Sequence, residues 1–161
     1  MGEVMTGTLN LRKRGPAFVL DDSPSVASLR PRRRMRRAEI TVDGRTVEAV
    51  ITGHRVVGVT VEGLLRLEPS GSRLPSDSGP VAWTTDRHRG FYLGSVVRGG
   101  DRIDLRLPRL GGRRVEIAPA GVWPDLELVS LAASFVLLAR RRQDRLRAMA
   151  VAGATGHGPV A

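Results

Sequence analysis

The sequence lacks cysteine altogether, contains a single lysine and is poor in aromatic residues. Without cysteine there can be no disulfide, no thiol nucleophile and no thiolate metal ligand. Aromatic residues make up 4% of the chain, so few rings remain for the stacking platforms of single-strand nucleic-acid binders. Residues 1–14 have no apolar core of signal-peptide length, and we therefore expect a cytoplasmic protein rather than an exported one.

Positive charge is in clear excess, and almost all of it comes from arginine. Lysine and arginine number 26 against 16 acidic residues, which gives a net charge of +10, and Lys13 is the only lysine. Arginine makes planar, bidentate contacts with phosphate, so a phosphate-bearing partner is one interpretation. The codon usage of a high-GC genome would produce the same bias, and composition alone leaves both interpretations open.

Alternation of apolar and polar residues predicts a mainly β domain. The clearest hairpin spans residues 40–47, where Asp43-Gly44 supplies the positive φ angles of a two-residue turn. In residues 102–107, Ile103, Leu105 and Leu107 share one face. Further candidate strands are residues 8–11, 17–20, 56–61, 64–67, 81–84, 91–97 and 113–118, with a long loop at 69–80. We predict about nine or ten antiparallel strands that form a barrel or a strongly curved sheet.

One apolar helix is predicted at about residues 124–150. Asp125 and Glu127 suit the positive end of the helix dipole, and residues 126–139 are apolar on nearly every face. A stretch of about 14 residues spans roughly 21 Å, which is shorter than the ~30 Å hydrocarbon layer of a membrane. We therefore expect the strands to enclose this helix, with residues 1–152 forming one domain and residues 153–161 a disordered tail.

Signatures of catalysis or metal binding are missing from the sequence. His54, His88 and His157 are scattered, and none belongs to a metal-ligand motif. Asp21-Asp22 has a turn composition and no opposing pair of carboxylates. We predict that the protein is not an enzyme and has no metal or cofactor.

The densest local feature is an arginine run immediately before the Asp43-Gly44 hairpin. Because closely packed arginines repel one another, the run must face solvent or an anionic partner. One interpretation is a solvated, extended segment in which Pro31 prevents regular pairing. The other is a phosphate or anionic-headgroup site. Its candidate binding residues are Arg30, Arg32, Arg33, Arg34, Arg36 and Arg37, with Arg12, Lys13 and Arg14 as a second group.

Many short strands followed by one apolar C-terminal helix resemble the tubby-like superfamily, which includes the tubby C-terminal domain, the phospholipid scramblases and the LURP-one-related proteins. The resemblance rests on the hairpin at residues 40–47, the late strands at 102–107 and 113–118, and the apolar residues between Leu126 and Leu138. It implies a barrel with the helix through its middle. It also implies a mostly non-enzymatic protein whose lysines and arginines bind phosphoinositide headgroups.

Together these features predict a non-catalytic module that binds anionic phosphate-bearing surfaces, with phospholipid headgroups as the expected ligand. Such a protein would be cytoplasmic or peripheral at the inner face of the membrane. One alternative is a membrane-anchored protein, in which residues 126–139 span the bilayer and Arg140–Arg142 form the positive cytoplasmic flank. Another is a sequence-independent nucleic-acid binder, which the low aromatic content supports less well.

Overall fold

The computed structural model describes residues 7–23, 25–75 and 79–156, with side chains through residue 153. Within these residues, eleven strands are followed by one helix. They are β1 (Leu9–Arg14), β2 (Ala17–Asp21), β3 (Ala27–Arg32), β4 (Arg37–Val42), β5 (Arg45–Thr52), β6 (Gly58–Val61), β7 (Leu65–Leu67), β8 (Val81–His88), β9 (Phe91–Arg98), β10 (Asp101–Pro108), β11 (Arg114–Ala120) and α1 (Leu126–Gly156).

The strands form a nearly closed antiparallel barrel. Their order is β7-β6-β5-β4-β3-β2-β1-β11-β10-β9-β8, so the chain folds back on itself where β1 pairs with β11. Residues 72–73 bridge the remaining gap, because Arg73 pairs with Arg66 of β7 and Ser72 pairs with Val81 of β8. The predicted class, a mainly β barrel around a C-terminal helix, is confirmed.

The helix occupies the middle of the barrel. It contacts strands β3 to β6 on one side and β9 to β11 on the other. Every residue from Val129 to Ala139 is buried, and the inward faces of the strands supply the side chains around them. Ile103, Leu105 and Leu107 are buried as their alternation predicts. The segment that the anchored alternative would place in a bilayer therefore lies inside the protein.

Within the described residues, no helix is both long enough and apolar enough to cross a membrane.

The hairpin predicted at Asp43-Gly44 connects β4 to β5. Asp43 has a φ of 49° and Gly44 a φ of 80°, the left-handed conformation that a two-residue turn of this type requires. The hydroxyl oxygens of Thr41 and Thr46 lie 2.9 Å apart on the outer face and share a hydrogen bond. Local turn chemistry was thus sufficient to place this element.

Strand β3 and the length of the helix differ from the sequence-based expectation. Pro31 does not prevent pairing, because it lies opposite Ala38 in the ladder between β3 and β4. On its other side β3 pairs with β2 only through Ser28 and Leu29, so Pro31 lies beyond that ladder. The helix continues to Gly156 and includes the first residues of the predicted disordered tail, whereas residues 157–161 lie outside the described residues.

Because hydrogen-bonded neighbours in the sheet are antiparallel, the connections between them alternate between the two ends of the barrel, whereas the β7–β8 connection joins opposite ends. The exit end, where α1 leaves the barrel, carries the hairpin turns at residues 15–16, 33–36, 53–57, 89–90 and 109–113. The distal end, where α1 begins, carries the connections between β2 and β3, β4 and β5, β6 and β7, β9 and β10, and β11 and α1. Side-chain contacts agree, since Glu127 accepts from Ser23 at the distal end and Gln143 donates to the His54 carbonyl at the exit end.

Candidate functional site

Charge is segregated between the two ends of the barrel. The hairpin turns of the exit end contain no acidic residue, and their basic residues are Arg33, Arg34, Arg36, Arg55, Arg89, Arg109 and Arg113. The β7–β8 connection adds one carboxylate at this end, Glu68, which accepts from the Thr52 hydroxyl at the end of β5. The connections of the distal end contain no basic residue, and their acidic residues are Asp22, Asp43, Glu62 and Asp125. The exit end is thus the face on which an anionic partner would be attracted.

The predicted arginine run folds into the β3–β4 hairpin at this end. Arg30 and Arg32 belong to β3, Arg37 begins β4, and residues 33–36 form the turn, here called the arginine turn. All six arginines of the run are exposed. Arg33, Arg34 and Met35 have φ angles of 47°, 59° and 58°, a left-handed conformation that is unfavourable for residues other than glycine.

Several arginines of the run have partners within the protein. Arg32 pairs with Glu39 at 3.0 Å, and Arg37 pairs with Glu48 at 2.6 Å. Arg36 donates to the carbonyl of Gly53 at 2.7 Å, which ties the arginine turn to the β5–β6 turn. Within the described residues, the side chains of Arg30, Arg33 and Arg34 have no hydrogen-bond or ion-pair partner. The charge of the run that no carboxylate compensates therefore lies at Arg30 on β3 and at Arg33, Arg34 and Arg36 in the arginine turn.

The second predicted group lies at the same end of the barrel. Arg12 and Arg14 approach Asp21 at 3.2 and 3.6 Å, and Lys13 is exposed between them. Pairing of β1 with β11 places Arg12 opposite Arg114. A hollow of about 730 Å³ results, here called the basic hollow, and its lining includes Arg12, Lys13, Gly15, Pro108, Gly112, Arg113, Arg114 and Glu116.

The net charge of the basic hollow is positive despite one carboxylate. Glu116 accepts from Arg106 at 2.6 Å and pairs with Arg114 at 3.4 Å. Lys13 and Arg113 have no such partner within the part of the chain that the structure describes. The hollow therefore combines concave shape with unpaired cationic side chains, an arrangement suited to a phosphate group.

The helix holds the wall of the basic hollow in place. Arg141 is almost fully buried where α1 leaves the barrel, and its Nη1 donates to the carbonyls of Pro108 and Gly112 at 3.2 and 2.7 Å. Burial lowers the pKa of Arg141, and the nearby charge of Arg145 acts in the same direction. Arginine remains cationic despite this shift. Its two charge-assisted hydrogen bonds therefore fix the β10–β11 turn to the helix.

Sequence reasoning found the two local clusters but did not assign the other basic residues of this end to the candidate site. Those residues are Arg109, Arg113 and Arg114 around the β10–β11 turn, and Arg142, Arg145 and Arg147 on the exposed part of α1. They come from the other half of the chain, and the pairing of β1 with β11 brings Arg113 and Arg114 to the basic hollow that Lys13 also lines. The available signal was the charge of the turns from β3 to β7, which is basic at residues 33–36 and 53–57 and acidic at residues 43–44 and 62–64.

The exit end offers neither stacking rings nor a metal site among the described residues. Trp83 and Tyr92 are 2% exposed and belong to the core. Phe91 lies on β9 with the Arg106 guanidinium 4.6 Å above its ring. No group of three or more histidine, cysteine, aspartate or glutamate side chains is arranged to hold a metal ion within the described ranges.

The fold and the site together define a helix-filled antiparallel barrel with one strongly basic end. Comparisons with protein-family models, with curated proteins and with solved structures gave no match.

Proposed function

We propose that this protein is a non-catalytic module that binds anionic, phosphate-bearing membrane surfaces with the exit end of its barrel. The observation that carries the proposal is the segregation of charge, with arginine in the turns of the exit end and carboxylates in the connections of the distal end. Such a distribution orients the molecule before contact and raises its rate of association with an anionic surface. Guanidinium groups then match phosphate in a planar, bidentate manner.

Two parts of the exit end have separate roles in this proposal. The basic hollow receives one headgroup phosphate, because Lys13 and Arg113 face it without internal partners. The arginine turn makes a second contact through Arg33 and Arg34. Its left-handed backbone supports a functional role, since strain of this kind concentrates at binding sites.

We further propose that the chain belongs to the tubby-like superfamily and acts in the cytoplasm, peripherally at the inner face of the membrane. The antiparallel barrel around a C-terminal helix supports the first part. The basic exit end supports the second, because the cytoplasmic leaflet carries the anionic lipids.

The test compares two double variants that remove equal charge from opposite ends. Arg34→Gln with Arg113→Gln alters the exit end, whereas Arg45→Gln with Arg102→Gln alters the distal half of the barrel. Each basic residue near an anionic membrane contributes about 1 kcal/mol, so we expect the exit-end variant to bind phosphatidylserine-containing vesicles about thirtyfold more weakly at low salt. The matched control should bind within about twofold of the wild type.

The salt dependence and a nucleic-acid arm complete the experiment. The difference between the variants should shrink as salt rises, because exposed charges are screened over about 10 Å at 0.1 M. Equal losses in both variants would mean that net charge alone drives binding. Tighter binding to duplex DNA or single-stranded RNA than to vesicles at every salt concentration would identify a nucleic acid, and not a membrane, as the partner.

A further inference from the structure

The part of α1 beyond Arg141 projects from the exit end and is held there in one direction. This part, residues 142–156, is here called the helix extension. Near its start Gln143 donates to the His54 carbonyl at 3.0 Å. Asp144 accepts from the Tyr92 hydroxyl at 2.7 Å and pairs with Arg87 at 3.1 Å. Contacts on two sides of the exit end thus hold the helix extension in line with the axis of the barrel.

The outer part of the helix extension is uncharged and exposes apolar side chains. Arg147 is the last charged residue of α1, and residues 148–156 contain none. Leu146 is 50% exposed and Met149 is 69% exposed. Leu110, in the β10–β11 turn, is 85% exposed and borders a cleft of about 470 Å³ that Ala148 also lines. Large apolar side chains exposed at one end of the molecule are typical of a contact with another apolar phase.

Arginines surround these apolar side chains. They are Arg89 and Arg109 in the neighbouring turns and Arg142, Arg145 and Arg147 on the helix extension. A nucleic acid would satisfy the arginines but offers no apolar layer to Leu146 and Met149. A bilayer with anionic headgroups offers both, with phosphates at the level of the arginines and acyl chains directly below them.

We propose that the helix extension inserts Leu146 and Met149, together with Leu110 of the β10–β11 turn, into the interfacial layer of an anionic bilayer. This inference rests on the proposed function and assigns the orientation of docking, with the barrel axis pointing into the membrane. Residues 148–156 are roughly 13 Å long as a helix, less than half of the ~30 Å hydrocarbon layer. The insertion therefore reaches one leaflet and anchors the protein peripherally.

The absence of native cysteine allows a direct measurement of insertion. Met149→Cys carries an environment-sensitive fluorophore, and Val26→Cys provides the matched control, since Val26 is 77% exposed at the distal end. Vesicles containing phosphatidylserine should shift the emission of the Met149 label to shorter wavelength, and lipids with brominated acyl chains should quench it. The Val26 label should change in neither respect.

A second pair of variants measures the contribution to affinity. Leu146→Gln with Met149→Gln should weaken vesicle binding about tenfold or more, because the variant loses two apolar side chains that the bilayer would partly bury. Val26→Gln should leave binding unchanged.

Three results would overturn the inference. Salt-sensitive vesicle binding in which the Met149 label stays in water would keep the proposed function and exclude insertion. A blue shift of the label without vesicles that grows with protein concentration would identify a second copy of the chain as the partner. If neither the wild type nor any variant binds vesicles at low salt, both the proposed function and this inference are wrong.

Discussion

Tyr92 links the barrel wall to the helix at the exit end. Its ring is buried on β9, and its hydroxyl donates to Asp144 Oδ2 at 2.7 Å. Burial raises the pKa of Tyr92 above its ordinary value of 10.0, and the hydrogen bond and negative charge of Asp144 act in the same direction. Arg109 opposes the shift to a smaller extent. The neutral phenol is therefore the form that the folded state stabilises.

Because Tyr92 is the only tyrosine, the absorbance of tyrosinate reports on this residue alone. We expect its titration midpoint in the folded protein to lie above 10.0. The contribution of Tyr92 to the free energy of unfolding is fully present below the unfolded pKa and is lost as the pH rises through the higher folded pKa. Alkaline solution should therefore destabilise the wild type relative to Tyr92→Phe.

Asp144→Asn is the control for the cause of this shift. The variant should titrate at a lower pH than the wild type but still above an unperturbed tyrosine, because burial remains. A wild-type midpoint at or below 10.0 would show that Tyr92 does not hold the helix in the described position.

At the scale of the element, α1 consists of a buried half and an exposed half that share one continuous helix. Leu131 and Phe135 are completely buried in the first half, whereas Met149 is 69% exposed in the second. The change in burial follows the sequence, since the apolar run ends at Arg140 and charged residues recur up to Arg147. One helix thus serves as core inside the barrel and as surface outside it.

The same substitution in the two halves should have opposite outcomes. Leu131→Asp should prevent folding, because an unpaired buried charge costs several kcal/mol against a total stability of about 5–15 kcal/mol. Met149→Asp should unfold at nearly the wild-type temperature, because its carboxylate stays in water. Circular dichroism during thermal unfolding measures both. A cooperative transition of Leu131→Asp at the wild-type midpoint would contradict the central position of the helix.

Most elements could be predicted from local patterns, whereas β3 could not. The turn at Asp43-Gly44 and the alternation at Ile103, Leu105 and Leu107 each specify a strand without reference to distant residues. In β3 only Ala27 and Leu29 mark the inward face, and Pro31 and the following arginines conceal the alternation. Pairing with β4 stabilises β3 despite this weak pattern, since Glu39 of β4 lies opposite Arg30 and 3.0 Å from Arg32.

At the scale of the whole molecule, the order of the turns determines where the charge lies. Successive connections along β3 to β7 contain arginine at 33–36, Asp43, Arg55 and Glu62, and each lies at the end opposite to the one before. This alternation is visible in the sequence, but it assigns residues to the correct end only if every strand is counted. Omitting β3 reverses the assignment for the turns up to β7, and the β7–β8 connection, which joins opposite ends of the barrel, interrupts the alternation.

The composition of the basic hollow could not be predicted locally. Arg12 and Lys13 were identified as candidates, but Arg113 and Arg114 join them only because β1 pairs with β11. No pattern within either strand specifies that long-range partner, since any strand with one apolar face could occupy the position. The site is therefore a product of barrel closure.

Segregated charge should govern binding to any flat anionic surface, even one without lipid. We expect Arg34→Gln with Arg113→Gln to elute from a phosphate-bearing cation exchanger at lower salt than Arg45→Gln with Arg102→Gln, although both variants have the same net charge. The exchanger contacts one face of the protein at a time, and the face with the highest density of arginine determines retention. Equal unfolding midpoints of the two variants would exclude a difference in folding as the cause. Identical elution would show that the two ends of the barrel present equivalent surfaces, and the orientation assigned to the exit end would then be wrong.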